Sequence, residues 1–161
     1  MTKSIPLTRG FVALVDDEDY ARLVAHKWCA MTNGHTSYAV RARSRRHGGR
    51  PGLILMHRII IGATDEQIVD HENGNGLDNR RANLRFATES QNHWNQRPQV
   101  GRSSRFKGVS WHRLHARWRA TIWFGGRSHA LGYFSVETDA ARAYDAAART
   151  HFGAFARTNF A

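Results

Sequence analysis

The sequence predicts an α+β chain: a small N-terminal module, a strand–loop–strand–helix core, and three antiparallel strands followed by one helix at the C-terminus. Three observations lead to that class. The apolar runs are short, alternate in places, and are broken by Asn-Gly and Gly-Gly pairs, the pattern of antiparallel strands joined by tight turns. Thr88-Glu89-Ser90-Gln91 has the form of a capping box, so a helix is expected to begin just after Thr88. Residues 136–152 are alanine-rich and end at Gly153, a helix with its stop signal.

Taken in chain order, residues 11–15 read as a strand, 17–28 as a short helix and 37–41 as another strand. Residues 53–61 are apolar and stay open between strand and helix. Residues 67–71 form a strand leading into Asn73-Gly74 and Asn75-Gly76, and 84–87 form the return strand. The stretch 95–104 has linker composition. Beyond it, 106–109, 117–123 and 128–134 read as strands, with Gly125-Gly126 as the second hairpin turn. On 117–123, Trp118, Ala120 and Ile122 fall on one face, and Arg117, Arg119, Thr121 and Trp123 on the other. Ala140, Ala143, Tyr144, Ala147 and His151 mark the helix face expected against that sheet. The divisions are thus 1–52, 53–98 and 102–161. Modules of this size bury little core, so the first two are expected to pack together. Residues 1–40 carry no recognisable chemistry.

Charge points to the partner. There are 24 Lys+Arg against 13 Asp+Glu, a net charge of +11, which favours nucleic acid or an anionic membrane. No apolar run approaches the ~18 residues of a membrane span, so no membrane role is expected. No secretory signal stands at the N-terminus. Cys29 is the single cysteine, which excludes a disulfide framework and points to a reducing compartment. The excess charge is concentrated. Arg41, Arg43, Arg45, Arg46 and Arg50 crowd one ten-residue stretch without an acid, and residues 99–161 hold ten basic against three acidic side chains. Phosphate attraction therefore lies on either side of the central segment. A merely solvated arginine loop is the alternative for 41–50.

Within that central segment stand Asp70-His71, then Asn83, then Asn92. A carboxylate and an amide oxygen are hard ligands suited to a magnesium-like ion. An imidazole beside them can take a proton from water as a nucleophile forms, and a bound cation would stabilise the charge on phosphate and leaving oxygen. Strand, loop, strand and capped helix are the minimum needed to bring residues 70, 71 and 92 around one ion. A lone Asp-His pair is usually a solvated turn; the ordered set is what carries the signal. His93, next to Asn92, is turned away by helical geometry.

From Met56-His57-Arg58 through Asn92 the chain resembles the HNH nucleases of the ββα-metal superfamily, particularly the homing-endonuclease branch. Asp70-His71, Leu77, Asn79-Arg80, Asn83-Leu84 and Gln91-Asn92 occupy family positions. The resemblance implies Asp70 and Asn92 as metal ligands, His71 as general base and Asn83 as the residue that fixes the loop and orients His71. It implies a divalent metal, magnesium with manganese as the other candidate, and a role in a phage or other mobile element. The family usually has an aliphatic residue and an acid after the histidine; here Glu72 and Asn73 stand in those places.

Residues 105–160 resemble the plant APETALA/ethylene-response-factor DNA-binding domain. Phe106-Lys107-Gly108-Val109, Leu131-Gly132-Tyr133-Phe134, the run from Ala140 to Ala148, and Gly153, Ala156 and Asn159-Phe160 carry the match. The resemblance implies a three-stranded sheet in the major groove with the helix behind it. Ser110, His112, Arg119, Thr121, Trp123, Ser128 and Ala130 would lie on the groove face, with Lys107, Arg113, Arg117 and Arg127 beside them as DNA contacts. Several plant base-reading positions hold other residues here, so scaffold transfers and target sequence does not. The expected function is metal-dependent cleavage or nicking of double-stranded DNA in the cytoplasm of a bacterial or phage-infected cell, with no protein partner implied. The alternatives are a DNA-binding regulator with an inactive nuclease core and an RNA-binding nucleoprotein.

Overall fold

The computed structural model describes residues 1–33, 36–43, 52–98, 101 and 103–160. It is mixed α+β, with antiparallel sheets throughout and a three-stranded sheet followed by a helix at the C-terminus. The chain forms two compact units, Met1–Asn92 and His93–Ala161.

The first unit opens with a hairpin that the sequence reading only half saw. Strand β1 (Thr2–Pro6) pairs with β2 (Val12–Asp16), in register from Thr2 opposite Asp16 to Pro6 opposite Val12. Helix α1 (Asp17–Val24) follows at once, with Asp17, Glu18 and Asp19 in its first turn, where the helix dipole favours acids. It stops well short of the expected Trp28. Trp28 lies beyond the helix, buried, its indole N–H donating to the Leu23 carbonyl at 2.8 Å. That bond consumes a carbonyl at the helix end. Strands β3 (Cys29–Thr32), β4 (Ser37–Ala42) and β5 (Leu53–Leu55) form a sheet in that order. The ambiguous apolar stretch divides: β5 gives way to helix α2 (Met56–Ile61), which Gly62 closes in the left-handed conformation. Then come β6 (Ile68–His71), β7 (Leu84–Ala87) and helix α3 (Glu89–Trp94).

One buried cluster joins these pieces: Ile5, Ala13 and Val15 from the first hairpin, Leu23 and Trp28, Ala39, Met56 and Ile60 of α2, and Leu84 of β7. Burial of this apolar surface, at about 25 cal/mol per Å², fixes the N-terminal strands to the β6–β7 hairpin. Backbone bonds reinforce it. Leu14 donates to the Leu77 carbonyl at 2.8 Å and accepts from the Asn79 N–H at 2.7 Å.

In the second unit, β8 (Val109–His112), β9 (Arg117–Phe124) and β10 (Arg127–Phe134) make an antiparallel sheet with β9 central. The first strand lies three residues later than expected. Gly108 has φ +76°, outside the strand region, and a Cβ there would meet the Tyr144 ring at 1.9 Å, so 106–108 form a turn pressed against a helix. That helix, α4 (Glu137–Phe152), ends at Gly153 as the sequence indicates. Its buried face is Ala140, Ala141, Tyr144, Asp145, Ala148 and Phe152. The expected face is therefore rotated slightly, and His151 is exposed while stacking on Phe124 at 3.9 Å. Ala120 and Ile122 are buried, and Trp118 packs beside them, as strand alternation requires. Asp145 accepts the backbone N–H of Asn159 and of Phe160, at 2.8 and 2.9 Å, tying down the tail.

Candidate active site

The site is built on the β6–β7 ribbon. Asp70 lies opposite Arg85 and His71 opposite Leu84. Both Asp70 and His71 are buried, at 5% exposure each. Between the strands, residues 72–83 form a loop held by its own side chains. Asn73 Oδ1 accepts from the Asn75 N–H at 2.8 Å, Asn75 Oδ1 from the Leu77 N–H at 3.1 Å, and Asn73 Nδ2 donates to Asp78 at 2.8 Å. Asp78 in turn takes two bonds from Arg80, at 2.7 and 2.6 Å, and this guanidinium holds the carboxyl below its ordinary range. Gly76 is required by close approach: a Cβ there would stand 2.6 Å from the Ser37 carbonyl and 2.7 Å from the Tyr38 ring.

Asn83 closes the loop. Its Oδ1 accepts from the Asn73 N–H at 3.0 Å, its Nδ2 donates to the Asp78 carbonyl at 2.7 Å, and its own carbonyl accepts from the Glu72 N–H at 2.9 Å. It thereby ties the chain entering β7 to the residues that follow His71.

His71 is surrounded by rings and amides. His57 of α2 meets it edge-on with centroids 4.8 Å apart, and Tyr38 of β4 lies 5.9 Å away. Its Nε2 is 3.4 Å from Asn79 Oδ1. Asn79 is fully buried and donates its Nδ2 to the Leu77 carbonyl at 3.1 Å, so its oxygen faces the imidazole. A proton on Nε2 would donate to that oxygen and leave the lone pair on Nδ1. Burial holds the His71 pKa below its ordinary value, against the opposing pull of Asn79, Asp70 and Asp78, so the ring is neutral and able to accept a proton at physiological pH. Burial, with His71 and Arg58 adding to it, pushes His57 down to about 3. His57 Nδ1 is buried and has no hydrogen-bond partner among the described residues. Burial and the charge of Asp70 push the Tyr38 phenol up.

Asp70 is gripped from the opposite strand. Arg85 Nε and Nη2 both lie 2.9 Å from Asp70 Oδ2. Helix α3 starts where the capping box placed it: the Thr88 N–H donates to Gln91 Oε1 at 2.8 Å, and the Gln91 N–H donates to Thr88 Oγ1 at 3.2 Å. Asn92 follows in the first turn, half-buried, its backbone N–H on the Thr88 carbonyl at 2.9 Å. Asp70, His71 and Asn83 therefore share one hairpin, and Asn92 belongs to the helix that continues from it. The carboxylate of Asp70 and the amide oxygen of Asn92 are hard donors of the kind a magnesium-like ion takes, with water and substrate oxygens in its remaining positions.

Two contributors to the site, Tyr38 and Arg85, carry no motif of their own, while Asn79 and His57 enter the sequence reading only as members of the family-like stretch. Tyr38 shows that the N-terminal module, which had no assigned chemistry, supplies a wall of the His71 environment.

The expected DNA-contacting residues fall in several places. Strand register puts Ser110, Arg119 and Tyr133 in one row, His112 beside Arg117, Thr121 beside Ala130, and Trp123 beside Ser128. Trp123 is 57% exposed, the largest apolar side chain on that face. Tyr133 was not foreseen; it is flanked by His112 and His115, with ring centroids 5.1 and 4.9 Å away. Arg113 is exposed in the turn after β8. Arg127 pairs with Phe124, in the row alternate to that of Ser128 and Ala130, and is exposed at the hairpin end. The Lys107 ammonium bonds the carbonyls of Trp94 and, at 2.8 Å, Gln96, and burial with Arg157 nearby holds its pKa down to about 8. Arg41 lies over the Trp28 ring at 5.6 Å, and Arg43 is exposed. Arg45 and Arg46 lie outside the described residues.

A two-stranded ribbon followed by a capped helix, with an acid, an imidazole and two amides placed along it, defines a nuclease-type site. Comparison with known proteins agrees. Residues 55–94 match the profile of a family described as HNH endonuclease. The chain is 30% identical over 158 residues to an HNH endonuclease of Acanthamoeba polyphaga mimivirus, covering 94% of this chain and 76% of that one. The chain belongs to the HNH endonuclease family. It is also 36% identical over 61 residues to Protein 3.8 of Escherichia phage T7, a match spanning half of that protein. A further similarity, 44% over 59 residues, is to the APETALA2-like protein 2 of Oryza sativa, and covers 14% of the plant protein.

Proposed function

We propose that this protein is a divalent-metal-dependent DNA endonuclease of the homing type, with a duplex-binding face on its second unit. The observation that carries the reading is the buried His71, its pKa held below the ordinary value and its Nε2 beside Asn79 Oδ1, next in sequence to the carboxylate of Asp70. His71 Nδ1 accepts a proton from the attacking water. Asn83 holds the loop that follows His71 and so fixes the direction of the ring. Asp70 and Asn92 would hold the cation, magnesium with manganese as substitute. When bound, that ion supplies stabilisation of the charge on the phosphate and the departing oxygen. His57 and Tyr38 keep bulk water away from the imidazole.

Duplex binding is assigned to the exposed rows of the C-terminal sheet, where Arg117, Arg119, Thr121, Trp123 and Tyr133 stand opposite the helix-covered face. Arginines there reach phosphates or base edges, and Trp123 offers an apolar contact. The similarity to an APETALA2-like plant protein supports this use of the sheet. One observation favours a second reading, a DNA-binding regulator with an inactive core: Arg85 neutralises Asp70. The two readings separate on supercoiled plasmid. Relaxed or linear product with magnesium, and none with chelator, is the outcome for the nuclease. Duplex binding with intact plasmid at every metal concentration refutes it.

A further inference from the structure

The guanidinium that neutralises Asp70 has a geometry of its own. Cross-strand partners on one face bring their side chains together, and Arg85 stands directly opposite Asp70. Two of its nitrogens, Nε and Nη2, converge at 2.9 Å on the same oxygen, Oδ2. Both side chains are largely buried, 17% exposed for Arg85 and 6% for Asp70. On its outer side Arg85 Nη1 lies 3.9 Å from Oε2 of Glu72, a side chain 59% exposed, whose backbone N–H is fixed to the Asn83 carbonyl. Glu72 is the residue that departs from the aliphatic one the family resemblance leads one to expect.

We infer that Arg85 is a positioning residue for Asp70, holding its carboxylate so that it meets a divalent cation in a fixed direction, with Glu72 steadying the guanidinium. The inference rests on the reading of Asp70 as a cation ligand. A planar fork with donors at fixed angles does this; a lysine ammonium, a point charge on a flexible stem, does not. Glu72 also returns to the rim the negative charge that Arg85 cancels at Asp70. The pair thus sets cation affinity without touching the cation.

The test is manganese titration into the full-length protein without DNA, followed by calorimetry, with thermal midpoint and duplex affinity measured in parallel. Arg85→Met should weaken manganese binding by roughly 10–100-fold, the usual effect of removing a group that orients a metal ligand. Duplex affinity should change far less. Arg85→Lys should fall between wild type and Arg85→Met, and Glu72→Gln should show the smallest loss. If Arg85→Met does not fold, Arg85→Lys alone decides. Manganese binding by Arg85→Lys equal to or tighter than wild type, with Asp70→Ala defective, overturns the role of Arg85 and leaves Asp70 as ligand. Unchanged binding by Asp70→Ala instead overturns the underlying metal reading.

Discussion

Asn83→Ala removes the side chain that closes the loop between the two strands of the site. The residue is 9% exposed and makes two side-chain bonds, accepting from the Asn73 N–H at 3.0 Å and donating to the Asp78 carbonyl at 2.7 Å. Truncation leaves both backbone groups without that partner in a partly or fully buried setting. At about 1–3 kcal/mol for each stranded group, the loss from both is roughly 2–6 kcal/mol. A unit of this size loses roughly 4–8 °C of Tm per kcal/mol, so the midpoint should fall by at least about 8 °C. Cleavage should fall as well, because the loop begins at Glu72, immediately after His71. Asn83→Asp separates the two bonds. It keeps an acceptor for Asn73 but sets a carboxylate against the Asp78 carbonyl, so it should be as damaging as the truncation or nearly so. The assay is thermal unfolding by circular dichroism beside plasmid relaxation at a temperature where the variant stays folded. An Asn83→Ala protein with wild-type Tm and cleavage would refute the closing role.

The second unit should fold and bind duplex DNA alone if cut at His93 rather than 102, because the Trp94 ring stacks on Phe152 at 4.4 Å and Lys107 bonds the Trp94 and Gln96 carbonyls. Gel shifts should show affinity falling steeply with salt, with a log–log slope of about −0.9 per neutralised phosphate; a flat salt response would contradict a phosphate-gripping face. In the full chain, Arg119→Ala should weaken binding and leave the cleavage rate of pre-bound DNA nearly unchanged, checked by single-turnover kinetics. The Arg80 guanidinium lowers the Asp78 pKa, so this carboxylate's stabilisation is fully present above its ordinary value of 3.8 and is lost as pH falls through the lowered folded value. Urea unfolding should therefore show the gap between wild type and Asp78→Asn closing in that acid window; a gap independent of pH would contradict it.

Much of the site was legible because its signals are local. Asn-Gly turns lie between Asp70 and Asn83, and the Thr88–Gln91 capping box fixes the helix start within four residues. The hairpin and α4 were equally plain, one from Gly125-Gly126 and the other from an alanine run with a glycine stop. What escaped reading depends on distant contacts. Tyr38 meets His71 only because β4 and the loop pack together, with Gly76 pressed against Tyr38 itself. Arg85 faces Asp70 through strand register, which charge counting does not show. The Lys107 ammonium bonds two backbone carbonyls, which its place in a basic module does not show. Strand β1, with lysine, serine and proline among five residues, lacks an alternating pattern and is recruited by pairing with β2.

The central claim is that His71 is the base in DNA cleavage, and single-turnover cleavage of pre-bound duplex by His71→Ala tests it most directly. The expected result is a rate lower by roughly 10²–10⁴-fold, the worth of a positioned proton acceptor, with duplex and manganese affinity retained. Cleavage by purified His71→Ala at the wild-type rate would contradict the account.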